Sequence, residues 1–120
     1  MIEGKKKMAS PGAPAPSVAE MLENIVGCKW SLRVLALVRE GVSRPGAMEH
    51  AVAGLTAKVL NERLRKLSRY GILDKTVFPE SPPRVEYRLT EFGQRFSALL
   101  DDIEQLEAAL RGSGADPHGR

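Results

Sequence analysis

Apolar residues recur along this chain with two periods, and the change from one to the other falls near residue 71. Before that point the spacing is helical. Ser17-Val-Ala-Glu20 has the form of a capping box, and Val18, Met21, Leu22, Ile25 and Val26 follow at intervals that share one helix face, up to Gly27. A second helix starts near Trp30. Its Leu32, Val34, Leu35, Leu37 and Val38 are apolar on more than one side, which makes it central to the core, and Glu40-Gly41 closes it. A short third helix is expected over residues 43–52. Pro45 fits its first turn, where a missing N–H costs nothing, and Met48, Ala51 and Val52 supply an apolar side.

Residues 54–71 predict the fourth helix, on which the rest of the chain is mounted. Thr56 can cap it, its hydroxyl accepting from orphan backbone N–H groups, and Gly71 suits the left-handed position that ends many helices. Leu60, Leu64 and Leu67 form one buried stripe. The other side carries Lys58, Asn61, Glu62, Arg65 and Arg69. Cations on such a face can grip phosphates while the Asn61 amide reads base edges; the alternative for a lone helix is a merely solvated face. Only the turn Ala53-Gly54-Leu55 separates the third helix from the fourth, which is the helix-turn-helix arrangement with the second helix as reader.

After Gly71 the pattern becomes that of strands. Ile72, Leu73, Val77 and Phe78 are β-prone, Pro79-Glu-Ser-Pro-Pro83 cannot be helical, and Val85-Glu-Tyr-Arg-Leu89 alternates apolar and polar. The expected product is a hairpin wing, with Val85, Tyr87 and Leu89 toward the core and Lys75 and Arg84 toward DNA. Thr90 then caps a last helix reaching about residue 111, in which Phe92, Phe96, Leu99, Ile103, Leu106 and Leu110 keep a heptad seam. A helix of some 20 residues is about 30 Å long, more than so small a core can cover. Phe92 to Leu99 are therefore expected to pack within the chain, and the seam from Ile103 onward against a second copy. Together these elements predict an α+β, mainly α fold: a winged helix-turn-helix with a two-stranded wing and a long C-terminal dimerisation helix.

Charge sharpens this picture. Residues 28–69 carry nine Lys/Arg against three acids, whereas residues 90–111 carry two against five. Positive charge is thus gathered around the reader helix and withdrawn from the last one, as expected where one face meets a polyanion and another meets protein. The 120 residues, 42% hydrophobic and 28% charged, are those of one ordinary globular domain at residues 17–111. Residues 1–16, with Lys5, Lys6 and Lys7 followed by Pro11, Pro14 and Pro16, read as a disordered basic tail, and 112–120 as a flexible one. Cys28 is the only cysteine, so no intrachain disulfide can form. No apolar run approaches a membrane span and none follows the lysines as a secretory signal would require, so a cytoplasmic location is expected.

The residues Gly27-Cys-Lys-Trp30, Arg44, Gly54-Leu-Thr56, Val59-Leu-Asn-Glu-Arg-Leu-Arg65, Gly71-Ile72 and Pro82-Pro-Arg-Val-Glu-Tyr-Arg-Leu-Thr-Glu-Phe-Gly93 occur in this order. In this the chain resembles the HxlR-type winged helix-turn-helix regulators of bacteria over residues 17–110. The block from Pro82 to Gly93 is the most specific part, because its spacing ties the wing to the last helix. The resemblance implies a dimeric DNA-binding transcriptional regulator whose first and last helices make the dimer; Val18, Leu22, Leu99, Ile103, Leu106 and Leu110 are the residues expected there. Some members of that family sense oxidants or electrophiles through a cysteine near the start of the first helix, where this chain has Ser17. Cys28 instead replaces what is usually a second glycine before Lys29-Trp30. Beside Lys29 and a helix N-terminus its thiol pKa would fall, giving a candidate redox residue; the competing reading is a small cysteine filling a glycine site. Pro45 also stands where the family usually has an aromatic.

The expected function is therefore a homodimeric regulator binding double-stranded DNA at a roughly palindromic operator. Asn61 and Arg65 would meet base edges, Thr56 and Lys58 the phosphates or groove edge, and Arg69, Lys75 and Arg84 the flanking backbone. The alternative is a winged-helix module for protein interaction, which has no use for so basic a segment. An enzyme is not expected. His50 and His118 are the only histidines, Glu49-His50 has no metal-ligand spacing around it, and no phosphate-cradling glycine loop is present. Nothing calls for a cofactor or a metal, and no residue pattern identifies an effector.

Overall fold

A computed structural model describes residues 16–112. The expectations for residues 1–15 and 113–120, including Lys5, Lys6, Lys7 and His118, lie outside the described residues. The elements run α1 (Val18–Val26), α2 (Lys29–Arg39), α3 (Pro45–Ala51), α4 (Ala57–Arg69), β1 (Leu73–Phe78), β2 (Arg84–Leu89) and α5 (Glu91–Gly112). This is the winged helix-turn-helix.

Local chemistry sets the boundaries. Ser17 and Glu20 close the capping box at α1, each side chain accepting from the other residue's backbone N–H. At α4 the Thr56 hydroxyl accepts from the Val59 N–H at 3.2 Å. The far end of α4 closes as a Schellman motif. Gly71 adopts φ 79°, its N–H reaches the Ser68 carbonyl, and the Ile72 N–H reaches the Leu67 carbonyl at 3.0 Å. Pro45 opens α3 as its first residue, with Arg44 in the extended capping position.

The core lies where α2 meets α1, α4 and β2. Leu60, Leu64 and Leu67 of α4 are fully enclosed, together with Ile25, Val34, Leu35, Met48 and Ile72. Fully burying a side chain of this kind contributes roughly 1.5–3 kcal/mol before entropy is counted, so α4 is held by one face while the other stays in solvent. Val52 and Leu55 are buried under the turn that leads into it. Ala51, expected on the apolar side of α3, is exposed instead: the seven-residue helix turns only Met48 fully inward.

The two strands pair antiparallel from Leu73↔Leu89 to Phe78↔Arg84. Beyond β2 the chain of Ser43 adds a further rung, its carbonyl accepting from the Tyr87 N–H at 2.8 Å. Tyr87 is buried, and Val85 and Leu89 pack against the core from the same face. Glu86, on the opposite face, is also buried, although strict alternation would leave it in solvent.

Helix α5 departs from the expected packing. Its inward side is Gly93, Phe96, Ser97 and Leu100, with Ile103 partly covered, while Phe92 and Leu99 remain 37% and 36% exposed. The reason is a close approach near its start. A Cβ on Gly93 would stand 2.1 Å from the Ile72 carbonyl oxygen, so this turn lies directly on the junction between α4 and β1. Thr90 fastens it there: its hydroxyl donates to the Gly71 carbonyl and accepts from the Gly93 N–H, and its own N–H donates to the Ile72 carbonyl. With residue 93 fixed inward, the 100° step of the helix carries 92 and 99 to the side.

Alanine at position 93 should therefore destabilise the fold by about 1–3 kcal/mol or more, since the obstructing atom is backbone. Gly46→Ala, whose Cβ would meet nothing within 4 Å, should be neutral or stabilising by up to about 1 kcal/mol. Urea denaturation of the two variants checks the contrast; equal effects would show that the contact at Ile72 yields easily.

Candidate nucleic-acid interface

Helix α4 presents its polar side along its whole length. Lys58, Asn61, Glu62, Arg65 and Arg69 are all exposed, and Thr56 stands exposed at the N-terminal end. Residues at these spacings share one helical face, so the Asn61 amide is flanked by cations on both sides along the axis. Behind them the enclosed leucine stripe fixes the height and rotation of the helix. Arg63, toward the interior, has its Nε buried without a hydrogen-bond partner, and only a 3.9 Å contact joins its guanidinium to Glu62.

The wing adds cations of two kinds. Lys75 is exposed on β1 opposite Tyr87, so it lies on the side of the hairpin that looks toward α4. The Tyr87 hydroxyl titrates higher than usual because it is buried, and Arg65 of α4 is close enough to offset part of that rise. Arg84 is engaged inside the wing. One of its terminal nitrogens is 3.0 Å from Glu80, the other is 3.2 Å from Glu86, and the guanidinium lies 3.9 Å from the Phe78 ring centroid.

Glu86 is the residue that sequence reasoning passed over. Arg88 donates to it at 2.7 Å and Arg84 at 3.2 Å, and the Arg44 Nε approaches at 3.8 Å from the start of α3. The hydrogen bond from Arg88 outweighs desolvation and, with the charges of Arg84, Arg88 and Arg44, holds the Glu86 carboxyl below its ordinary range. A signal was present: arginines at 84 and 88 flank Glu86 at the two-residue spacing that shares a strand face.

Residues assigned to dimer contact fall into two groups. Val18, Leu99, Leu106 and Leu110 are exposed, Leu106 at 72%. Leu22 and Ile103 are half-buried against the chain's own core. The exposed residues Val26, Leu32 and Phe92 had not been placed with them. A cleft of about 220 Å³ lies between the end of α1, α2 and α5, with Val26, Leu32 and Ile103 in its walls and Glu104 and Glu107 at its edge.

Cys28 caps α2 without a side-chain cap hydrogen bond and is half-buried. Burial pushes its thiol up, but the polar groups of Ser31 in the first turn of α2 and the charge of Arg63 outweigh this and hold it below the ordinary thiol range. The cation acting on it is thus Arg63 of α4, while the Lys29 ammonium lies 5.3 Å from the Trp30 ring centroid. Among the described residues no group of three or more His, Cys, Asp or Glu could hold a metal ion, and no helix is long and apolar enough to cross a membrane.

The helix-turn-helix, with its exposed cationic second helix and attached wing, matches the family described as HxlR-like helix-turn-helix, over residues 25–113. The chain belongs to that family. An uncharacterized HTH-type transcriptional regulator of Synechocystis is 39% identical over 93 residues, covering 78% of this chain and 66% of that protein. The chain therefore spans just under two thirds of that relative's length. A solved structure from Enterococcus faecalis V583, assigned to the MarR family of transcriptional regulators, aligns with a TM-score of 0.73 at 28% identity, covering 90% of this chain and 97% of that one. The reduced form of the transcriptional regulator YodB from Bacillus subtilis aligns with a TM-score of 0.66 at 26% identity, covering 86% and 94%. The winged fold of this HxlR-like chain is thus shared along nearly the full length of both structures.

Alkylation of Cys28 by iodoacetamide should follow a pH profile whose midpoint lies below that of a cysteine in an unstructured peptide, and Arg63→Met should move that midpoint upward. A wild-type midpoint at or above that of the peptide would show that burial outweighs Ser31 and Arg63.

Proposed function

We propose that this HxlR-like chain is a sequence-specific DNA-binding transcriptional regulator that acts as a homodimer on a roughly palindromic operator. The observation that carries the reading is the α4 face, where Asn61 stands exposed between Lys58 and Arg65 on a helix held rigidly by its opposite side. A reader helix placed in the major groove sets Asn61 and Arg65 against base edges, where a bidentate contact discriminates by about 1–3 kcal/mol. Thr56 and Lys58 lie toward the helix N-terminus for phosphate or groove-edge contact, and Arg69 and Lys75 meet the flanking backbone. Arg84, occupied by Glu80 and Glu86, serves the shape of the wing.

Support for a second copy comes from α5. Phe92, Leu99 and Leu106 share a side of the helix that the chain's own core leaves exposed, and Val18, Val26 and Leu32 are exposed on α1 and α2. Two-fold pairing would place the two reader helices in successive major grooves about 34 Å apart. Modification of Cys28 is a candidate control of binding, since Arg63 connects the thiol's charge to the reader helix.

Selection from a pool of random duplexes at two salt concentrations should recover an inverted repeat with half-sites about 10 base pairs apart. Asn61→Ala should relax the preference at one position of each half-site by about 1–3 kcal/mol. Retention at low salt without any sequence preference would instead leave an electrostatic binder. Separately, Leu106→Glu should convert a dimer to a folded monomer in sedimentation equilibrium; an unchanged mass would exclude α5 as the seam.

A further inference from the structure

The wing holds a charge cluster that the reader helix does not explain. Glu86 is only 6% exposed, yet it lies on the side of β2 away from the core. What covers it is the set of arginines around it, each in a different position. Arg84 is locked, paired to both Glu80 and Glu86 and laid over Phe78, with its Nε buried. Arg88 and Arg44 are not. Their side chains are 70% and 56% exposed, and they approach Glu86 through Nη2 of Arg88 at 2.7 Å and Nε of Arg44 at 3.8 Å, so that much of each five-donor guanidinium faces solvent.

Their positions matter because they come from different parts of the fold. Arg88 belongs to the wing and Arg44 to the first residue before α3, the leading helix of the helix-turn-helix. The Ser43 carbonyl accepting from Tyr87 brings these two segments side by side. Between Arg44 and the wing turn runs an open groove of about 440 Å³, walled by Pro45, Gly46, Pro82, Arg84 and Glu80, whose carboxylate is paired to Arg84. In helix-turn-helix docking the leading helix crosses the sugar-phosphate backbone.

We infer that Arg44, at the groove, and Arg88, on the adjoining face of the wing, form a clamp for phosphates of duplex DNA, and that Glu86 is the positioning residue between them, bonded to Arg88 and drawing Arg44 toward the wing. This rests on the DNA-binding reading above. A buried carboxylate that accepts a hydrogen bond from Arg88 at 2.7 Å orients that guanidinium before DNA arrives, and its charge keeps Arg44 close at 3.8 Å, so less ordering entropy is lost at binding. Arg84 serves as the strut that keeps Glu86 in place.

As a positioning residue Glu86 affects binding with a sign that plain electrostatics would reverse. Glu86→Gln removes a negative charge near the phosphates, so an acid that merely repels DNA would, when removed, leave binding tighter. A positioning acid, when removed, leaves it weaker. Affinity for a labelled duplex of mixed sequence should be measured across a salt series for wild type, Glu86→Gln, Arg44→Ala and Arg88→Ala, with thermal melting to verify folding. Each arginine variant should lower the slope of log K against log salt by about 0.9, the share of one phosphate. Glu86→Gln should bind more weakly than wild type and lose slope in the same direction. Tighter binding by folded Glu86→Gln, or an unchanged slope in both arginine variants, would overturn the clamp while leaving DNA binding intact. No binding by the wild type at any salt would overturn the DNA-binding reading, and the clamp with it. Should Glu86→Gln fail to fold, the exposed arginines still decide the matter.

Discussion

The contact on which most of the structure depends is the seating of the first turn of α5 on the junction between α4 and β1. Gly93 allows it, since any side chain would collide with the Ile72 carbonyl, and Thr90 locks it through the Gly71 and Ile72 carbonyls. Four elements meet within these few residues: the end of the reader helix, the start of the first strand, the end of the second strand and the start of the long helix. The Schellman closure at Gly71 turns the chain out of α4 and leaves the Gly71 and Ile72 carbonyls where Thr90 can reach them. Neither feature would suffice alone. The positive φ at residue 71 directs the strand, and the glycine at 93 lets the return path come close enough to be bonded.

A second constraint acts at the other end of the wing. A two-stranded hairpin by itself is at best marginally stable, and here one face packs on the core while the other is bound together by charge. Glu86 lies beneath three arginines, one of which belongs to the start of α3. The wing is therefore fixed to the helix-turn-helix through the Ser43 carbonyl as well as through a carboxylate. The arginines around Glu86 are thereby sorted: Arg84 is paired with Glu80 and Glu86 within the wing, whereas the exposed Arg88 and Arg44 keep donors toward solvent.

Most of the fold was legible because its signals are local. The capping box at Ser17, the Thr56 cap, the glycine at 71, the proline-rich turn and the core-facing side of β2 each depend on neighbours within a few residues, and each is found where expected. What escaped was non-local. The heptad seam of α5 merges two stripes, an inward one through Gly93, Phe96 and Leu100 and a lateral one through Phe92, Leu99 and Leu106. Only the contact at Ile72 says which is which. The same holds for the candidate interface. The polar face of α4 follows from spacing, but the burial of Glu86 depends on Arg44, some 40 residues earlier in the chain. Likewise the cation near Cys28 is Arg63 from another helix, not the adjacent Lys29.

The two stripes of α5 bear directly on how the proposed dimer would read DNA. Gly93 and Thr90 fix the helix to the end of α4, and the lateral stripe is the surface that the proposed second copy would cover. A rigid element that is bonded to the reader at one end and to the symmetry axis along its length sets the separation and tilt of the two readers. Operator spacing would then follow from the angle at which α5 leaves Gly93, and not from the composition of α4. Base preference and half-site spacing would accordingly be separable properties: the first resides in Asn61 and Arg65, the second in the junction held by Thr90. A substitution at the junction that preserves folding should change the preferred spacing while leaving the half-site sequence as it was, because it moves the reader as a body without altering the side chains it presents.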